Sequence, residues 1–197
     1  MTQRHGSPHS GNSARFGQDW QLSPEQSLLY HTEHATVPQQ VITYTPKGTN
    51  NRVDLLFGSS LYDLRQHAMP AEADLTSRDE LRMFRLEYAI VRVPATFFNR
   101  YPTEAQVALA GIHDATEILI RLLDQGRSVI AGRLAGVFRR VGREEIADEI
   151  KTVMAQAGYD VRETDPFSRE HALAQIKQAD APIVGRLRSC GSQRANR

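Results

Sequence analysis

Residues 103–165 read TEAQVALAGIHDATEILIRLLDQGRSVIAGRLAGVFRRVGREEIADEIKTVMAQAGYDVRETD. This stretch decides the expected fold, because helical periodicity runs through it and glycines interrupt it. Thr103 and Gln106 have capping-box spacing and open a short helix to about Ile112. Asp114 and Glu117 repeat the signal, and Ala115, Ile118, Leu119, Leu122 and Leu123 cover one broad face before Gly126 stops the run. Ser128 is placed to cap the next helix, whose stripe is Ile130, Leu134, Val137, Phe138 and Val141, and Gly142 ends it. A third long helix runs from about Arg143 to Ala157, with Ile146, Ile150, Val153, Met154 and Ala157 on one face. Gly158 is a natural left-handed stop. Each apolar face would be exposed if its helix stood alone, so the short connections predict neighbours packed as hairpins. Gly132 and Gly136 lie away from the stripe and predict close approach by a second helix. Tyr159–Thr164 reads as a short strand or an extended segment.

Working outward, Ser77–Val91 (SRDELRMFRLEYAIV) has a second capping-box spacing at Ser77 and Glu80. Leu81, Phe84, Tyr88 and Val91 follow at helical intervals, so one helix is expected there, stopped by Pro94. Ser59–Met69 reads as a shorter helix with Leu61, Leu64, Arg65 and Ala68 along one side, broken at Pro70. Phe97, Phe98 and Tyr101 concentrate aromatic surface, read as core packing or as a binding surface. Val41–Thr45 has β composition, Lys47–Asn51 is a turn, and Arg52–Gly58 would return. That gives one small hairpin over 41–57, or a pair of extended arms. Ser23, Pro24 and Gln26 mark the start of a helical turn or two through His31. Ser168–Asp180 reads as a polar helix. The expected fold is mainly α, a compact bundle of about five to seven helices. Residues 1–50 are expected to be largely flexible and polar. Residues 51–180 form the helical domain, best defined over 103–165, and 181–197 are a flexible basic tail.

Composition narrows the function classes. The 197 residues allow a domain with a real core. Lys and Arg number 24 against 23 Asp and Glu, a balance that speaks against a dedicated nonspecific nucleic-acid binder. Mean hydropathy is −0.46, with the polarity concentrated towards the ends. Cys190 is the only cysteine and cannot form an intrachain disulfide. No stretch approaches the ~20 apolar residues of a membrane span. The opening MTQRHGSPHSGNS lacks the apolar core of a secretory signal. A cytoplasmic protein without a membrane partner is expected. Only His31 and His34 have ligand-like spacing, and they lack further ligands nearby, so no metal site is expected. Nucleotide-binding glycine loops, zinc-hydrolase helices, kinase signatures and nucleophile elbows are absent, so no enzyme, cofactor or small-molecule ligand is expected.

Charge patterning is the sharpest remaining clue. Arg127, Arg133, Arg139, Arg140 and Arg143 cluster on and around the middle helix. Glu144, Glu145, Asp148 and Glu149 spread over the outward side of the next one. Glu145 with Glu149, and Glu144 with Asp148, are like-charge pairs one turn apart, a small cost that a bound metal or a basic partner would offset. They also complement Arg139, Arg140 and Arg143 and suit a first helical turn. Two patches of opposite sign on consecutive helices suit docking onto another protein or self-association. Phe97, Phe98 and Tyr101 would supply a hydrophobic anchor if exposed. The expected function is a non-enzymatic helical interaction or regulatory module. The alternative is a sequence-specific DNA-binding regulator of helix-turn-helix type using the 128–141 helix. Ser128 would then meet phosphate, and Arg133 or Arg140 would reach phosphate or base edges. Val129, Ile130 and Ala131 at the recognition end, and the acid-rich helix that follows, weigh against it. An enzyme without a recognisable motif is the third and weakest reading.

Overall fold

The computed structural model describes residues 19–34, 36, 38–55 and 58–167. Its first element is a two-residue strand, β1 (Gln21–Leu22), antiparallel to β2 (Gln40–Thr45). Ser23 turns the chain into α1 (Pro24–His31): its Oγ accepts the Gln26 N–H at 3.3 Å, and Pro24 fills the first helical position. α1 then completes the sheet with side chains. The Gln26 amide donates to Gln40 O and accepts from Ile42 N, each at 2.8 Å, standing where a neighbouring strand would. Ser27 Oγ accepts the Phe84 N–H at 3.1 Å, and His31 Nε2–H donates to Phe84 O at 2.7 Å. Buried backbone groups left without partners are costly, so these bonds tie α1 to both sheets.

β4 (Ser60–Arg65) lies between β2 and β3 (Arg52–Asp54), parallel to β2 and antiparallel to β3, giving the order β1-β2-β4-β3. Asp63 fixes this insertion. Its wholly buried Oδ1 accepts the Thr49 and Asn51 N–H groups, both at 3.1 Å, so the loop after β2 wraps around the carboxylate. The helix expected over Ser59–Met69 is therefore a strand. Leu61 and Asp63 are buried while Tyr62 and Leu64 are half-buried, a period of two. The hairpin expected over 41–57 is also corrected, because β2 and β3 are separated by β4.

The single helix expected over Ser77–Val91 divides into three elements. β5 (Leu75–Arg78) pairs with β6 (Leu81–Phe84), and α2 (Leu86–Arg92) follows. Asp79 and Glu80 between the strands have φ of 53° and 64°, the left-handed pair that a two-residue hairpin needs. The Ser77–Glu80 spacing that resembles a capping box is thus a strand end and its turn. Five more helices follow among the described residues: α3 (Thr96–Arg100), α4 (Pro102–Ala110), α5 (Thr116–Asp124), α6 (Ser128–Arg140) and α7 (Glu144–Gln156). Ser128 does not cap α6, since Arg127 holds that position and no side-chain bond is made.

The fold among the described residues is mixed α/β, with a four-stranded and a two-stranded sheet beside seven α-helices, and the mainly α bundle with at most one small hairpin is overturned. The described residues of 19–50 carry β1, α1 and β2, with Trp20 and Leu28 buried. Residues 1–18, the helix expected over Ser168–Asp180 and the basic tail 181–197 lie outside the described residues. No described helix is long and apolar enough to cross a membrane.

The core has two parts. Trp20, Leu22, Leu61, Leu81 and Met83 pack between the larger sheet and the hairpin. A larger cluster centred on Phe97, Phe98, Leu109, Ile118, Leu122, Leu134, Phe138 and Ile150 holds the helices. Phe84, where β6 hands over to α2, lies edge-on to Tyr44 at 6.3 Å and stacked on Tyr88 at 5.1 Å.

Candidate functional site: the charged surface of α6 and α7

α6 is enclosed on most sides. Ala131, Gly132, Leu134, Ala135, Gly136, Val137 and Phe138 are all buried. Its glycine flank is crossed by an extended strap from Tyr159 to Phe167. A Cβ on Gly132 would lie 1.9 Å from Arg162 O, and one on Gly136 would lie 1.9 Å from Thr164 O. The Thr164 N–H donates to Gly132 O at 3.1 Å. The glycine pair does permit a close neighbour, but that neighbour is extended backbone and not the helix expected.

The strap carries the partners of the α6 arginines. Arg139 donates from Nε to Glu163 Oε1 at 2.8 Å and from Nη2 to Asp148 Oδ1 of α7 at 2.6 Å. Lys151 Nζ reaches Glu163 Oε2 at 3.3 Å. Arg140 Nη1 donates to Asp165 Oδ2 at 2.7 Å and its guanidinium lies over the Phe167 ring. The hydrogen bonds that Arg139 donates to Glu163 and Asp148 hold its guanidinium above the usual arginine range. The bond from Arg139 in turn holds Glu163 and Asp148 below the usual carboxylate range. An open cleft of about 400 Å³ is lined by Gly136, Arg139, Arg140, Glu163, Thr164 and Asp165. Its charged groups are paired with one another.

The five arginines therefore do not form one basic patch. Arg139 and Arg140 face acids, and Arg143 Nη2 donates to His113 O at 3.4 Å. Arg127 is half-buried, and burial followed by the nearby charge of Arg92 lowers its pKa. Arg133 points to the α2–α3 junction, where Nη2 donates to Val93 O at 2.9 Å. Of the four acids, Asp148 is engaged by Arg139. Glu144, Glu145 and Glu149 are exposed and make no hydrogen bond or ion pair among the described residues. Phe97 and Phe98 are wholly buried, and half-buried Tyr101 packs against Phe97 with ring centroids 5.5 Å apart. They are core, not an exposed anchor. The recognition helix of the helix-turn-helix alternative would be α6, on which Ser128, Val129, Ile130, Arg133, Arg139 and Arg140 are the residues left unburied.

His31 and His34 face different partners, Phe84 O and Glu104 Oε1, the latter at 2.7 Å. Among the described residues no three His, Cys, Asp or Glu side chains form a metal-sized group. Glu163 and Asp165 are the residues that sequence reasoning missed. Their signal was spacing two apart in an extended run, which places both on one side of it. No family model, curated protein or solved structure matches this chain.

Proposed function

We propose that this chain is a non-enzymatic docking module that presents the outward face of α7 to a basic segment of a partner protein. The observation that carries the reading is the asymmetry of pairing. Arg139, Arg140 and Arg143 are engaged within the fold, while Glu144, Glu145 and Glu149 are exposed and unpaired among the described residues. An exposed carboxylate needs no partner to be stable, and the first turn of a helix favours it. Three that pair with no cation among the described residues still create a negative field that attracts a cationic surface and sets its register. The same pairing disfavours self-association through opposite patches, because Arg139 and Arg140 are already paired with Asp148, Glu163 and Asp165 and are not free to meet the acids of a second copy. A partner of different sequence fits better.

The test uses the full chain and a lysine- and arginine-rich peptide of about 15 residues, followed by fluorescence anisotropy across a salt series. Exposed charge pairs contribute about 0.2–1 kcal/mol each, so replacing Glu144, Glu145 and Glu149 together by glutamine is expected to weaken binding by about threefold to 150-fold at low salt. Binding that is absent at low salt, or unchanged in the triple variant, refutes the proposal.

A further inference from the structure

Arg133 is a cation that nothing among the described residues neutralises. It is half-buried on α6, its guanidinium 5.8 Å over the ring of wholly buried Phe98, and no described carboxylate pairs with it. Nη2 is used by Val93 O at 2.9 Å. Nε is buried without a hydrogen-bond partner. Nη1 has no partner among the described residues and is not enclosed by them, so it faces solvent. One turn earlier on the same flank stands Val129, 83% exposed, the most exposed large apolar side chain described. The other four arginines of the cluster differ in kind, being engaged by acids, bonded to a carbonyl at the surface, or facing another arginine.

We propose that Arg133 and Val129 form a binding site for a carboxylate that carries an apolar group. A guanidinium withdrawn from water and given no counter-charge raises the free energy of the free protein, and a hydrogen-bonded carboxylate is the group whose geometry matches it. Burial alone pushes the Arg133 pKa down to about 10, the direction expected for a cation without a partner. The carboxylate approaches along the solvent-facing Nη1 edge, and its apolar group covers Val129, which lies roughly 6 Å away along the helix. The chemistry is shared by a free short-chain carboxylate and by an acidic side chain of another protein, and the experiment separates them. The site is distinct from the acidic face of α7, and neither needs the other.

The bland alternative is that Arg133 serves only to cap the Val93 carbonyl at the end of α2. The full chain is titrated with hexanoate, with hexanamide as its neutral twin, and with an acetylated helical peptide bearing leucine and glutamate one turn apart. The side-chain Nε–H resonance of Arg133 and the thermal unfolding midpoint are followed. A saturable shift with a carboxylate and none with hexanamide is expected, and whichever of hexanoate or peptide saturates at lower concentration identifies the source. Arg133→Met is expected to unfold at or above the wild-type midpoint and to lose any stabilisation by carboxylate. No shift with either carboxylate, or an equal one with hexanamide, overturns the proposal. So does an Arg133→Met variant that is destabilised but rescued by Arg133→Lys without any carboxylate, since that is the behaviour of a structural cap.

Discussion

Gly136→Ala tests the strap most sharply. The new Cβ would meet Thr164 O at 1.9 Å, and this is backbone, which cannot rotate aside. The strap must retreat about 1.5 Å to regain ordinary contact. That movement breaks the Thr164–Gly132 hydrogen bond, worth about 1 kcal/mol, and loosens the Arg140–Asp165 pair, worth a few tenths. Residual overpacking costs about 1–3 kcal/mol, while alanine in a helix interior returns about 1 kcal/mol relative to glycine. The net expectation is a loss of about 2–3 kcal/mol, a fall of about 5–10 °C in the unfolding midpoint for a domain of this size. Gly111→Ala is the control. Its Cβ would lie 3.2 Å from Leu86 Cδ2, the movable end of a side chain, and its backbone is right-handed helical. Its effect is expected to stay within about 1 kcal/mol. The assay is thermal unfolding followed by circular dichroism. A Gly136→Ala protein that melts at or above the wild type would show that the strap does not rest in the glycine groove.

Two further perturbations probe the ion pairs and the sheet. The Glu163 carboxyl titrates below its unfolded value, so its contribution is fully present above the unfolded pKa of about 4.3 and is lost as pH falls through the folded one. The stability difference between wild type and Glu163→Gln, measured by urea unfolding, is expected to be constant above about pH 5.5 and to shrink in acid; a difference that grows in acid contradicts the pairing. Asp63→Ala leaves the Thr49 and Asn51 N–H groups without their acceptor, at about 1–3 kcal/mol each, whereas Asp63→Asn keeps one acceptor oxygen. Denaturant unfolding should rank wild type above Asn and Asn above Ala, and equal stability of the two variants would contradict the role given to the carboxylate.

The helices of 102–156 were legible because their determinants are local. Ile118 and Leu122, Leu134 and Phe138, and Ile146, Ile150 and Met154 mark one face each, and Gly126, Gly142 and Gly158 all take positive φ where the helices stop. The strands were not legible, because their determinants are distant in the chain. Leu61 and Leu64 satisfy a helical interval, and what makes their segment a strand is Asp63 gripping the loop at Thr49 and Asn51. Asp79 and Glu80 lack the glycine or asparagine that usually marks a left-handed pair, so Ser77 and Glu80 passed for a helix cap. At the site, Arg139 and Asp148 are near enough in sequence for their pairing to be read. Glu163 and Asp165 reach α6 only because Gly132 and Gly136 admit the strap, a contact that no local pattern announces.

The docking surface is tested most directly by amide chemical-shift mapping of the full chain as the basic peptide is added at low salt. The expected result is that perturbations concentrate on Glu144–Gln156 around Glu144, Glu145 and Glu149, and fade as salt is raised. Perturbations centred elsewhere, or none at all, would contradict an acidic face on α7 as the partner-binding surface.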